Sequence, residues 1–342
     1  MRFALSPEQL DFGASLRKLL EAGRAPAAVR AWASGDSGPG RALIRQLADA
    51  GVLGLAVAER HGGIGAEPID LVVAFQELGR AAVPGPLVET AAAIPALLQA
   101  LPDQDLAARW LPGFAEGAAL GTVAFAPPGP GVALDADTAE VVLLAGENQL
   151  STGNRTGLVR SVDPARRLFT VAAAETVAEG DQVRAAAAAG FDTGALACAA
   201  QLLGAGKALL HASTEYAKQR KQFGKPIGEF QAVKQKLADV LIALDLAEPL
   251  LYRAALTTAE TTRSRDVSAA AVACGDAAYR AARAALQVHG AIGYTAEYDL
   301  SLWLTKVTAL RSAWGTPDLH RARIARALRE DTDPDRAARG IA

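Results

Sequence analysis

The sequence is short of sulfur chemistry, of charge imbalance and of long apolar runs. Only two cysteines occur in 342 residues, Cys198 and Cys274. Both lie in Ala-rich helical patterns. They read as small buried side chains in a reducing compartment, not as a disulfide or a metal pair. The four histidines, His61, His211, His289 and His320, are scattered. Neither a His-x-x-x-His nor a Cys-x-x-Cys spacing exists, so no metal site is expected. The formal net charge is −2, from 35 basic and 37 acidic residues. That balance gives no reason to expect nucleic acid or an acidic membrane surface as a partner. No stretch approaches the roughly 18 uninterrupted apolar residues that a bilayer span needs. The first ten residues, MRFALSPEQL, contain no apolar core of a secretory signal. The expected location is therefore cytoplasmic. No internal repeat and no low-complexity tract beyond the alanine bias is visible.

What is present is ample apolar material, 51% of the chain. At this length two or three domains or subdomains are expected. The pattern divides into three zones. Residues 1–117 read helical. Ser6-Pro7-Glu8-Gln9 combines a hydroxyl cap, a proline at the first helical position and a glutamine three after the cap. A loop is expected over 31–40, with further helices over 41–50 and 69–80. Residues 118–187 change period. Short β-like runs at 122–126, 140–145, 157–162 and 168–172 are separated by Pro127-Pro128-Gly129-Pro130-Gly131 and by Gly153-Asn154. They predict a small sheet or partial barrel. Residues 188–342 are helical and Ala-rich. Asp192-Thr193 is expected to cap a long helix ending at Arg220. A second helix follows to Thr258, broken or kinked at Pro249. A third runs from Asp266 to Val288, and two more cover 298–312 and 318–329. The fold class is mainly α with a small middle β-domain, closed by a bundle of the four-helix kind.

Two constellations could carry chemistry. The first is Arg220-Lys-Gln-Phe-Gly-Lys-Pro-Ile-Gly-Glu-Phe-Gln231, set between two helices. Structurally, Arg220 would compensate a helix C-terminal dipole, Phe223 would tuck into the bundle and Gly224 would end the helix. Functionally, Arg220 would clamp a diphosphate while Gln222 and Phe223 line a flat ligand. The second is Gln287-Val-His-Gly-Ala-Ile-Gly-Tyr294. It is either a helix C-cap or a loop whose bare backbone amides approach an anion. The two together are more specific than either alone.

With both motifs in view, the chain resembles the acyl-CoA dehydrogenase family. That family carries an Arg-x-x-Phe-Gly-x-Pro-Ile-x-x-Phe-Gln run and, further on, Gln-x-x-Gly-Gly-x-Gly-Tyr. Here Ala291 replaces the second glycine of the latter. The N-terminal zone resembles the family too, in Leu47-Ala-Asp-Ala-Gly-Val-Leu-Gly-Leu55, Glu59-Arg-His-Gly-Gly-Ile-Gly65 and Gln76-Glu-Leu-Gly-Arg80. The resemblance implies an N-terminal helical domain, a reduced middle β-domain and a C-terminal four-helix bundle. It implies FAD as cofactor, held between the middle domain of one subunit and the bundle of a neighbour. By position, Arg220, Gln222, Phe223, Gln287, Gly290, Ala291 and Thr316 would touch FAD. Phe191 and Asp192 would contact the pantetheine arm of an acyl-CoA substrate, although Asp192 reads equally well as a plain N-cap. The arginine often found three positions later is Ala195 here.

The resemblance also fails in an informative way. The family reaction removes a proton next to a thioester carbonyl and passes a hydride to the flavin, so it needs a carboxylate base. The two places where the family puts that glutamate hold Trp314 and Gly194 in this chain, so no catalytic residue is assigned. Glu297, Asp299 and Asp318 are weak substitutes. The middle zone is short, lacks the family's Gly-Ser-Asp stretch and has no tryptophan between 118 and 187. The contacts kept are those that would serve a neighbour's flavin. This implies a non-catalytic chain paired with a Glu-bearing paralogue in an α2β2 heterotetramer, similar to actinobacterial steroid side-chain acyl-CoA dehydrogenases. The Asp163-Pro-Ala-Arg-Arg-Leu168 segment fits that branch. An electron-transferring flavoprotein would be the usual electron acceptor. Two alternatives stay open: a self-sufficient homo-oligomeric flavoenzyme with a non-standard base or different flavin chemistry, and a ligand-free structural paralogue.

Overall fold

The computed structural model describes residues 4–125, 131–295 and 297–331. The expected turn at Pro127–Pro130 lies outside the described residues.

Six helices make the N-terminal part: α1 (Pro7–Ala22), α2 (Ala25–Ala33), α3 (Gly38–Asp49), α4 (Pro68–Arg80), α5 (Ile94–Gln99) and α6 (Asp105–Ala115). The expected capping box opens α1. The Gln9 amide donates to Ser6 Oγ at 3.2 Å, and the Ser6 amide donates to Gln9 Oε1 at 3.0 Å. The loop expected over 31–40 is shorter than the pattern suggests, because α2 extends to Ala33 and α3 begins at Gly38. A π-helical turn, Glu89–Ala93, leads into α5. Helix α4 is the hub. Leu71, Val72, Phe75 and Leu78 are all buried in the core shared with the bundle.

One five-stranded sheet follows: β1 (Gly121–Phe125), β2 (Gly131–Leu134), β3 (Val141–Ala145), β4 (Gln149–Val159) and β5 (Leu168–Glu179). The strand order is β1-β3-β4-β5-β2, parallel between β1 and β3 and antiparallel elsewhere. The strand expected over 157–162 is instead the end of a long β4. Gly153-Asn154, expected to separate strands, lies inside it. Register slips between Ser151 and Gly153 and between Arg155 and Gly157 absorb the irregularity as bulges.

The bundle comprises α7 (Asp181–Gln219), a hairpin of β6 (Lys221–Gln222) and β7 (Lys225–Pro226), then α8 (Gln231–Leu256), α9 (Arg263–His289), α10 (Leu300–Ala313) and α11 (Pro317–Asp331). Two expectations are corrected here. Helix α7 begins at Asp181, so Asp192 and Thr193 sit inside it and do not cap it, and the boundary drawn at residue 187 falls within the helix. The run Ala185–Ala189 has the highest helix propensity available and carries the helix back through that region. Pro249 does not break α8. It lies on the exposed side of the helix, as does Asp245 four residues earlier, so water can satisfy the carbonyl that proline leaves free.

Helices α4 and α7 cross backbone to backbone. A Cβ added at Gly79 would lie 2.0 Å from the Gln201 carbonyl oxygen, and one at Gly204 would lie 1.9 Å from that of Gln76. Helix α7 is long and apolar enough to cross a membrane, but 78% of its most apolar window is buried within the protein.

Candidate functional site

The two sequence motifs meet at one end of the bundle. Tyr216, in the last turn of α7, stacks on His289, the last residue of α9, with ring centroids 4.2 Å apart. Arg220, four residues past Tyr216, thus follows α7 at the end of the bundle where α9 closes before Gly290. His289 is buried, and its Nδ1 sits 2.8 Å from the Ala285 carbonyl oxygen, which assigns the proton to Nδ1. Burial holds its pKa below the ordinary histidine range, so the ring stacks as a neutral group. Beyond Arg220 the chain makes the β6–β7 hairpin, in which Gln222 pairs with Lys225 across a two-residue loop. Phe223 and Gly224 both have positive φ, 51° and 82°, the requirement of a type I′ turn. The turn throws the Phe223 ring outward to 91% exposure. The structural expectation that Phe223 tucks into the bundle is thereby overturned.

A groove of about 570 Å3 runs between α8 and α9 at the end where Gly290 lies. Lys236, Arg280 and Arg283 line it, with Asp239 as the opposing acid and Gln287, Gly290 and Ala291 at its end. At Gly290, φ is 66° and an added Cβ would meet nothing within 4 Å. The backbone there is open to close approach, and the cations beside it suit an anion. Arg220, Gln222, Gln287, Gly290 and Ala291 are all exposed.

A second cavity, about 720 Å3, lies between the sheet and α10. Phe125 of β1, Phe191 of α7 and Trp314, just past α10, pack as an aromatic triad with centroids 5.6 to 6.1 Å apart. The Trp314 ring fills the space beside Gly194, where an added Cβ would come within 2.2 Å of it. Glu89, from the π-helical turn, lines the same cavity and is 4% exposed. Burial pushes its carboxyl up to about 7, against the opposing pull of Arg166.

The acyl-CoA dehydrogenase N-terminal domain pattern matches residues 6–118, and the acyl-CoA dehydrogenase C-terminal domain pattern matches residues 168–329. The acyl-CoA dehydrogenase IpdE2 of Mycobacterium tuberculosis is 35% identical over 285 residues, 82% of this chain and 85% of that protein. This chain belongs to the acyl-CoA dehydrogenase family. Solved structures share the fold. The ChsE4-ChsE5 complex from Mycobacterium tuberculosis superposes with a TM-score of 0.82 at 23% identity, covering 96% of this chain and 99% of that one. PigA, solved with FAD and proline, gives 0.83 at 18% identity over 96% and 99%.

Other positions singled out on the family pattern have different surroundings. Asp192 is 1% exposed, and its carboxylate sits between Arg263, at 2.9 Å, and Arg323. Arg323 also lies over the Phe191 ring, 5.1 Å from its centroid. Thr316 is exposed and caps α11, its Oγ1 accepting from the Leu319 amide at 3.2 Å. Asp299 pairs with Arg30 and Asp318 with Arg321, and Glu297 is exposed. Among the described residues none of these three acids lines the cavity, whereas Glu89 does. The sequence signal for Glu89 is a single charge in the otherwise uncharged run Pro86–Leu98. The cysteines are buried and unpaired, and burial pushes the Cys198 thiol up to about 12.

Proposed function

We propose that this chain is the non-catalytic member of an FAD-dependent acyl-CoA dehydrogenase, completing the cofactor site of a Glu-bearing paralogue. The observation that carries this is the packing of Trp314 into Gly194. The Trp314 ring fills the space beside Gly194, and these are the two positions where, on the resemblance, the family would keep its base; neither residue can take a proton.

The opposite end of the bundle keeps what a neighbour's cofactor needs. Arg220 with Lys236, Arg280 and Arg283 would neutralise a diphosphate. The open backbone at Gly290 and Ala291, with Gln287, would approach it closely. Phe223 and Gln222 would reach across to the neighbour, whereas Thr316 caps α11 near Trp314, away from this groove. When bound, FAD supplies the acceptor for the hydride leaving the substrate β-carbon. Phe191 would wall the acyl-CoA path. A partner is further supported by Ile242, Leu246 and Leu250, exposed at four-residue spacing along α8 with Leu241 beside them. On the same reading the substrate is a bulky acyl-CoA such as a steroid side-chain thioester, the electron acceptor is an electron-transferring flavoprotein, and the assembly is a heterotetramer.

The test is the flavin absorbance of the purified chain, alone and co-expressed with a Glu-bearing paralogue. The chain alone should be colourless and the complex yellow, and Arg220→Ala should lower the flavin content of the complex. A yellow, acyl-CoA-reducible homomer would instead establish a self-sufficient enzyme. An Arg220→Ala complex with full flavin and activity would leave only a structural role.

A further inference from the structure

The cavity between the sheet and α10 is lined by apolar side chains such as Val123, Phe125, Leu134 and Trp314, with Arg160, Arg166, Thr308 and Ser312 among its polar residues. Its one acid among the described residues is Glu89. The carboxyl is 4% exposed and Oε2 has no hydrogen-bond partner. Buried polar atoms are nearly always paired, and an orphan asks for an explanation. The next residue, Thr90, is satisfied, while Thr122 Oγ1 on β1 is left without a partner as Glu89 Oε2 is. Thr90 Oγ1 donates to the Gly121 carbonyl at 2.8 Å and accepts from the Gly121 amide at 3.0 Å. One position away, Oε2 of Glu89 is left without a partner, on a π-helical turn, a distortion that recurs at functional sites. Arg166 is 8% exposed, lines the same cavity and couples electrostatically to Glu89.

We propose that this cavity binds an acyl thioester whose apolar body carries a hydroxyl group, with Glu89 as the specificity-determining residue and Arg166 as its charged companion. A hydroxyl is the partner that fits. It donates to a carboxylate and accepts from a carboxylic acid, so it satisfies Oε2 in either protonation state. A plain alkyl chain would bury Glu89 still deeper with nothing to bond. Sites built around a hydrogen bond discriminate strongly against ligands that lack it. The thioester part rests on the acyl-CoA dehydrogenase reading above. The hydroxyl part rests on Glu89 alone and does not depend on flavin being held by this chain.

The experiment is calorimetric titration of the assembled complex with decanoyl-CoA and with a set of hydroxydecanoyl-CoAs differing in hydroxyl position. Substitutions are confined to this chain, so any change reports on this cavity and not on the partner's. At least one positional isomer should bind tenfold or more tightly than decanoyl-CoA. Glu89→Leu should abolish or reverse that preference, and the near-isosteric Glu89→Gln should keep most of it. If the thioesters bind without preference, or if the preference survives Glu89→Leu, the proposal fails while the acyl-CoA reading stands. If no thioester binds at all, both fail together.

Discussion

Gly194 and Trp314 occupy each other's space: a Cβ at Gly194 would lie 2.2 Å from the Trp314 ring. The ring is buried at 6% exposure and cannot swing clear without opening the aromatic triad with Phe125 and Phe191. Overpacking of this kind costs about 1–3 kcal/mol. Gly194 lies in mid-helix, where alanine is otherwise favoured by about 1 kcal/mol. Gly194→Ala should therefore be net destabilising in the native background. In a Trp314→Ala background the clash is gone, and the same substitution should stabilise by about 1 kcal/mol. Urea unfolding of the four proteins of this cycle checks the reversal of sign.

Asp192 gives a second prediction, because its environment favours a structural role. Its carboxylate is buried between Arg263 and Arg323. Removing one partner of a buried pair costs about 3–5 kcal/mol, and Arg263 is one-third exposed, so the low end, about 3 kcal/mol, is expected for Asp192→Asn. The loss should appear in the unfolding midpoint. A residue that mainly held the pantetheine arm would instead lose CoA affinity at little cost in stability.

These cases show where the fold and the site were legible in the sequence. The capping box at Ser6 and Gln9 was readable because all its partners lie within four residues. The helical, β, helical order was readable from the change of period. The start of α7 was not, since Asp192 has the chemistry of a cap and only the preceding alanine run overrules it. Pro249 misled because its exposure, which decides whether the freed carbonyl matters, depends on tertiary packing. Arg220 and Gly290 could be paired on the family pattern, but the contact that joins them, Tyr216 on His289, is made between residues far apart in the chain. Glu89 was missed because a lone acid in an apolar run has no local meaning until the cavity around it exists.

Phe223 offers a third prediction. A phenylalanine at φ 51° is strained, and asparagine adopts that conformation more readily. The ring is almost fully exposed, and its one aromatic contact among the described residues is edge-on to Phe230 at 6.2 Å. Losing that contact, worth about 0.5–1.5 kcal/mol, roughly offsets the strain relieved. Phe223→Asn should leave the stability of the isolated chain within about 1 kcal/mol of native. On the proposed reading, in which the ring serves a neighbour's cofactor, flavin retention by the complex should fall. Co-purified flavin, compared with the thermal midpoint of the chain alone, separates the two effects.

The last prediction concerns pH and isolates Glu89. In the unfolded chain its carboxyl titrates near 4.5, and in the fold near 7. Between these values the native state holds a proton that the unfolded state has lost. Stability therefore falls as pH rises through this window, by about 3 kcal/mol on Glu89's account, and the loss is complete above 7. Asp135, raised to about 6 by its burial, acts in the same direction between about pH 4 and 6. His289 and His320 act oppositely, since burial lowers both and their unfolded forms bind protons more readily below 6.5. The slope of the native protein is thus a difference of terms, but the difference between native and Glu89→Gln is not. The glutamine variant should match the native protein near pH 4.5 and exceed it by up to about 3 kcal/mol at pH 8. Urea midpoints of the two proteins measured from pH 4.5 to 8 should diverge steadily. Curves that stay parallel would mean that the Glu89 carboxyl titrates in the fold as it does in water.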